Sequence, residues 1–345
     1  MIYSKSKMMK KLIILGLASI IMASCGNNLP EIAPTLVTEK LPHDSDDPAI
    51  WINKENPEKS IVFGTNKDEI NGGVYAFDLD GKILKNKSIT GLSYPNNVDV
   101  EYGFKINDST ETDIMVFSER EKHQIRMYSI PDMTPLDNGG FKVFADETNV
   151  EMKRPMGVSL YKNPKTDAIS VFVSRKVGPV EGYLYQYGFT SDSLGVHTNL
   201  LRKVGKFSGT KEIEAIAVDD ELGFVYYSDE GVGIRKFYAD PKMGNEEIGL
   251  FGSKDFKKDI EGIAIATYPN GKGFIIVSNQ QDHSFNFYNR SDNSYVKTLN
   301  LGTLETDGCD IVTTSLGKKF PNGLFVSMND EKDFFYHAVD SLKLK

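Results

Sequence analysis

Acidic and amide side chains recur in this chain where short apolar runs begin. Asp46, Asp47, Asn96, Asn97, Asp99, Glu214, Asp259, Glu261, Asp307 and Asp310 stand at or just before such runs. A second set, Lys67, Arg120, Arg175, Lys176, Asp229, Glu230, Gln280, Asp330 and Glu331, follows the runs that come next. Carboxylates, amides and loop carbonyls are hard oxygen donors, which suit Ca²⁺ better than Zn²⁺ and ask less geometric order than Mg²⁺ demands. The five histidines (His43, His123, His197, His283, His337) share no spacing, and Cys309 stands alone after residue 30. Lys67, Arg120, Arg175 and Lys176 add fixed positive charge. Arginine grips phosphate bidentately and lysine acts as a point charge. Metal ions beside fixed cations form a clamp for a phosphoryl group, so chemistry on a phosphate-rich substrate is what these residue types offer.

For the two sets to meet, the chain must bring them to one place, and a repeat does this. Counting from Asp47 through Asp99, Met156, Glu214, Glu261 and Asp310, first runs recur at intervals of 52, 57, 58, 47 and 49 residues. Second runs follow, among them Ile61-Val62-Phe63-Gly64-Thr65, Ile114-Met115-Val116-Phe117-Ser118 and Phe274-Ile275-Ile276-Val277-Ser278. Third runs alternate aromatic with polar residues, as in Leu184-Tyr185-Gln186-Tyr187 and Asn286-Phe287-Tyr288. Period-2 segments rich in β-branched and aromatic residues, bounded by Gly, Asp and Asn turns, are strands. Several strands per unit and a unit near fifty residues predict an all-β, six-bladed β-propeller, with four to five antiparallel strands per blade. Antiparallel neighbours then place the start of each first strand and the end of each second at the same end of the central channel. Like charges gathered there cannot all ionise cheaply without cations.

Blade six lacks enough chain for its own outer strand, and Thr35-Leu36-Val37-Thr38-Glu39-Lys40-Leu41 is expected to supply it and close the ring. Residues 35–345 are thus read as a single propeller domain. Before it, Lys10-Lys11, the apolar run from Leu12 to Met22 and Ala23-Ser24-Cys25 read as a lipoprotein signal peptide over residues 1–24, with Cys25 the acylated residue and 25–34 a flexible tether. The run is too short to span a membrane. The expectation is an exported chain held to a bacterial cell envelope by lipid alone, acting as a monomer. A net charge of −8 argues against nucleic acid as partner, while leaving room for phosphate ligands at a face carrying cations.

Asp46-Asp47-Pro48-Ala49-Ile50-Trp51, Thr65-Asn66-Lys67, Asn96-Asn97-Val98-Asp99, Ser118-Glu119-Arg120, Asp259-Ile260-Glu261-Gly262, Gly271-Lys272-Gly273 and Glu305-Thr306-Asp307-Gly308, in that order, resemble the β-propeller phytases. The resemblance implies a calcium-dependent hydrolysis of phytate, inositol hexakisphosphate, by a metal-activated water, with several calcium ions in the mouth. It implies Asp47, Glu214, Asp259, Glu261 and Gln280 as calcium ligands, with Asp307 and Asp229-Glu230 as further acids. Lys67, Arg120 and Lys176 become phosphate contacts, and Glu230 or Asp229 the group that orients water. The chain departs from the pattern at Met156, where a tyrosine is expected, at Asp68, where a second lysine is expected, and around Pro179-Val180-Glu181. Two other readings compete: a calcium-dependent lactonase or esterase propeller, whose His pair has no counterpart opening a first strand here, and a lipoprotein that captures inositol phosphates without turnover. Asp78-Leu79-Asp80-Gly81-Lys82 starts like a calcium loop but lacks its later acids and reads as a hairpin turn. Trp51 reads as blade core.

Overall fold

The computed structural model describes residues 29–344, so the expected signal peptide and Cys25 lie outside the described residues. The chain enters through β1 (Leu36–Val37) and then builds six four-stranded antiparallel sheets, each running from the channel outward. Blade 1 is β2 (Asp44–Trp51), β3 (Ile61–Lys67), β4 (Gly72–Phe77) and β5 (Ile89–Leu92). Blade 2 is β6 (Pro95–Asn107), β7 (Thr110–Glu119), β8 (Gln124–Ile130) and β9 (Phe141–Lys142). Blade 3 is β10 (Pro155–Lys162), β11 (Ile169–Arg175), β12 (Glu181–Asp192) and β13 (Gly195–Lys206). Blade 4 is β14 (Ile216–Asp219), β15 (Phe224–Asp229), β16 (Gly233–Tyr238) and β17 (Glu247–Phe251). Blade 5 is β18 (Ile260–Tyr268), β19 (Lys272–Asn279), β20 (Ser284–Asn289) and β21 (Tyr295–Leu299). Blade 6 is β22 (Cys309–Val312), β23 (Leu324–Asn329), β24 (Asp333–Ala338) and, outermost, β1. Leu36 pairs with Tyr336 and Val37 with Phe335, so the N-terminal segment closes the ring as its sequence suggests.

Each blade buries both faces, and six apolar clusters form where neighbouring blades meet. Val62 and Phe77 of blade 1 face Val326 and Phe334 of blade 6, while Trp51 and Phe63 face Met115 and Phe117 of blade 2. Trp51 is therefore core, with its indole N–H on Asp113 at 2.8 Å. The Asp78 turn is a hairpin connection, its carboxylate accepting from the backbone N–H of Asp80 and Lys82, with Gly81 at φ 73°.

The expected tether is shorter than its polar composition suggests. Leu29 accepts from Asn300, Glu31 bridges Asn300, and Ile32 donates to its carbonyl and packs on the core between blades 5 and 6. Ile32 is the cause: an apolar side chain beside a receptive edge is favourably buried.

The register at the channel shows why acids cluster there. In blades 1, 2, 3 and 5 the inner strand bulges between Ser45 and Pro48, Pro95 and Val98, Pro155 and Val158, and Ile260 and Ile263. A bulge sets two residues against one and re-aims side chains. The equivalent first bulge positions across the ring are Asp46, Asn96, Met156, Glu214, Glu261 and Asp307, which corrects the register counted from Asp47, Asp99 and Asp310. Second positions become tight: a Cβ on Gly157 would sit 1.8 Å from the Glu214 carbonyl oxygen, and one on Gly308 would sit 2.3 Å from an Asp47 carboxylate oxygen. Gly157→Ala is expected to displace the backbone that carries Glu214, lowering the melting temperature and activity together; unchanged values for both in a purified variant would contradict this packing.

Candidate active site

Two rings of side chains face the mouth. The inner ring is the bulge series above. The outer ring lies at the ends of the second strands, at Lys67, Arg120, Lys176, Glu230 and Gln280, with Asp330 the residue that follows the blade 6 second strand. Between them, Lys67 Nζ lies 2.7 Å from Asp307 Oδ2 and 3.5 Å from Asp46 Oδ1 and Asp44 Oδ2. Burial works against its charge, but Asp46, Asp307 and Glu214 outweigh that and hold its pKa above the usual lysine range. Asn96 donates to Asp46 at 2.8 Å and to Glu214 at 2.5 Å, and accepts from the Arg120 guanidinium. Arg120 lies 4.1 Å from the centre of the Tyr94 ring, a cation–π seat that fixes its plane, and also touches the Met156 sulfur. Gln280 donates to Asp307 at 2.6 Å.

The opposite wall is more acidic. Lys176 meets Glu212 at 2.5 Å, and Lys211 contacts Asp259 and lies 3.9 Å from Glu230. Gln281 donates to Asp259 and to Gln280, tying the two together. Burial first, then Glu212 and Glu214, push Glu230 up to about 8. Burial first, then Glu230, Glu214 and Asp307, push Glu261 well above the carboxylate range. Burial likewise raises Asp46, Glu214 and Asp307 despite Lys67. Glu261 Oε2 and Glu230 Oε1 are buried without a hydrogen-bond partner. Such oxygens are costly unless protonated or met by a cation. Among the described residues the acids stand apart with lysines between them, Lys67 beside Asp46 and Asp307 and Lys211 beside Asp259.

Below the mouth, Asp47, Asp99 and Asp310 line a cavity of about 130 Å³. Each also straps neighbouring blades: Asp47 accepts from Val98 N–H, Asp99 from Leu160 N–H and Asp310 from Ile50 N–H. The metal candidates therefore fall into an upper group, with Asp46, Glu214, Asp259, Glu261, Gln280 and Asp307, and this channel group.

Two residues expected in the mouth are elsewhere. Arg175 is fully buried inside blade 3, donating to the carbonyls of Tyr183 and Gly182 and to Glu147, between the Phe144 and Tyr185 rings. Asp229 is fully buried, accepting from Ser208 N–H and Oγ and from Arg235. Both occupy the last position of a second strand, one residue before the outer ring. Side chains alternate along a strand, so adjacent residues take opposite sides. Asp229 shares that position with Glu119, Asn279 and Asn329, which accept from the backbone N–H of Ser93, Lys257 and Leu304 and so hold the loops leading into inner strands. Asp68 is likewise turned to its own loop, accepting from Ile70 and Asn71 N–H. Sequence reading passed over Lys211, Glu212 and Gln281, which lie in connections. It also passed over a repeating hydroxyl: Thr65, Ser118 and Ser174 accept from the bulge N–H of Asp47, Asn97 and Gly157, and Ser278 donates to the Thr306 carbonyl just before Asp307; its recurrence two residues before Lys67, Arg120, Lys176 and Gln280 is the signal that would have found it.

Comparisons with known proteins bear on the same residues. A model of the phytase family matches residues 10–337. A 3-phytase of Bacillus subtilis (strain 168) is 34% identical over 302 residues, covering 83% of this chain and 75% of that protein. A mouth built of buried acids and fixed cations on a six-bladed ring, read with these two matches, places the chain in the phytase family, the hydrolases that release phosphate from the phosphate monoesters of phytate.

Proposed function

We propose that this member of the phytase family hydrolyses phytate with the help of several calcium ions, held at the mouth by Asp46, Glu214, Asp259, Glu261, Gln280 and Asp307 and in the channel by Asp47, Asp99 and Asp310. The observation that carries the proposal is the pair of buried, unpartnered oxygens on Glu261 and Glu230, in a ring of acids that lysines only partly neutralise. All donors on offer are oxygens, which suits a hard cation. When bound, calcium supplies positive charge to phosphate oxygens and acidifies water. The protein's own groups do the rest. Arg120, held flat against Tyr94, and Lys67, held between Asp46 and Asp307, present fixed positive charge to the phosphoryl oxygens. Lys176 does so from the rim, where its side chain is 38% exposed. Glu230, with one oxygen free of hydrogen bonds and a pKa raised by burial to about 8, is the group placed to orient the attacking water. Asp229 has no part in this, since its carboxylate is committed to Ser208 and Arg235.

Incubation with phytate, a lactone and a carboxylic ester, with products resolved by ion chromatography, tests the proposal. Stepwise lower inositol phosphates and free phosphate are expected from phytate alone. Lactone or ester cleavage without phytate turnover would overturn it, and so would phytate that is retained but never cleaved.

A further inference from the structure

Lys211 lies in the connection between β13 and β14, at φ 59°, a left-handed conformation that residues other than glycine adopt reluctantly. The connection is anchored: Ser208 is held by Asp229, and Glu230 N–H reaches the Glu212 carbonyl at 3.5 Å. From this anchored turn, the Lys211 ammonium contacts Asp259 of blade 5 and comes within 3.9 Å of Glu230 of blade 4. One positive charge thus bridges two blades at the wall of the mouth, beside the unpartnered oxygens of Glu230 and Glu261. Lys67 bridges Asp46 and Asp307 of the neighbouring blades 1 and 6, but it is 16% exposed and enclosed, whereas the Lys211 side chain is 43% exposed on an open loop. A lysine is a compact charge on a flexible stem, able to leave without dragging its backbone along.

We infer that Lys211 is a resident counter-ion: in the calcium-free chain its ammonium neutralises Asp259, with Glu230 within reach, and it swings into solvent when calcium binds Asp259. The inference rests on the calcium reading above and adds a property to it. Calcium must displace an intramolecular competitor at this position, so binding there is weaker than the carboxylates alone would give, and the empty mouth is spared part of its self-repulsion. Lys211 accordingly sets the calcium concentration at which the mouth fills.

The test compares chelator-stripped wild type with Lys211→Met, which keeps the stem without the charge, and Lys211→Arg, which keeps the charge. Calcium binding is read by calorimetry and stability by melting curves. Lys211→Gly, which suits the left-handed backbone, repeats the charge loss should Met disturb the loop. The uncharged variants are expected to bind calcium about tenfold more tightly at the weakest step, to melt lower than wild type without calcium, and to gain more from it. Lys211→Arg is expected to stay near wild type. If wild type and the uncharged variants bind calcium with equal affinity, the counter-ion role is wrong while the calcium reading stands. If neither wild type nor variants bind calcium, the calcium reading fails and takes this inference with it.

Discussion

Lys67→Ala is expected to lower kcat/KM on phytate by about 10²–10³, the usual cost of removing one fixed charge-stabilising donor from a site of this type. The reasoning starts from its neighbours. Among the described residues, Lys67 is the one ammonium that touches both Asp46 and Asp307, and through them it faces Asn96, Glu214 and Gln280. Removing it leaves three acids (Asp44, Asp46 and Asp307) without their cation. Extra calcium should restore the melting temperature by filling the gap, but not the rate, because a donor aimed at the substrate is still missing. Steady-state kinetics at saturating calcium check this, and near-normal values would show that Lys67 serves the fold alone.

The calcium-stripped protein is expected to lose stability as pH rises from about 4 toward 9. Burial foremost holds Glu230 at about 8, Asp99 at about 7 and Asp310 at about 6, each above its usual carboxylate value. At the far side of the channel, burial and Glu101 push Asp220 to about 9. The sign follows from proton counting. Between the unfolded values near 4 and these raised folded values, the folded chain binds more protons than the unfolded one, so stability falls as pH rises through that window and levels off above it. A few kcal/mol of differential proton binding corresponds to a fall on the order of 10 °C for a chain of this size. On the calcium reading proposed above, the ions take the place of protons on the ligating acids, so calcium stabilisation should grow with pH and flatten the curve. Melting curves with chelator and with calcium across the window test this. A chelated melting temperature that holds or rises with pH would contradict the buried-acid picture.

The six blades were legible because every blade repeats one pattern: a polar bulge, a short inner strand, and a second strand ending in a polar pair. That pattern also locates the mouth, since antiparallel pairing brings the bulge and the strand end together. What it does not carry is the side to which each residue of the ending pair points. Glu119-Arg120, Arg175-Lys176 and Asp229-Glu230 look alike on paper, yet the first member of each is buried, Glu119 and Asp229 holding loops and Arg175 inside blade 3, and only the second enters the mouth. A one-residue shift reverses the assignment, which is why Arg175 and Asp229 were misplaced. Uncertainty of register also mixed Asp46 with Asp47, one residue on, and Asp307 with Asp310, three residues on. Lys211, Glu212 and Gln281 were invisible for another reason: they sit in connections that follow no period, and only the folded ring brings Lys211 and Gln281 beside Asp259 and Glu212 beside Lys176. Met156 was placed correctly as the departure in the inner ring, and its sulfur against Arg120 shows that blade 3 gives the mouth an apolar neighbour where its counterparts give oxygen.

The central claim is that a cation-loaded ring of buried acids makes this mouth a phosphatase. It is tested most directly by phosphate release from phytate, using protein stripped of metal with a chelator and then titrated with calcium. No release from the stripped protein, and recovery that saturates as calcium is restored, is the predicted result. Phosphate release that proceeds at the same rate in chelator as in calcium would contradict it.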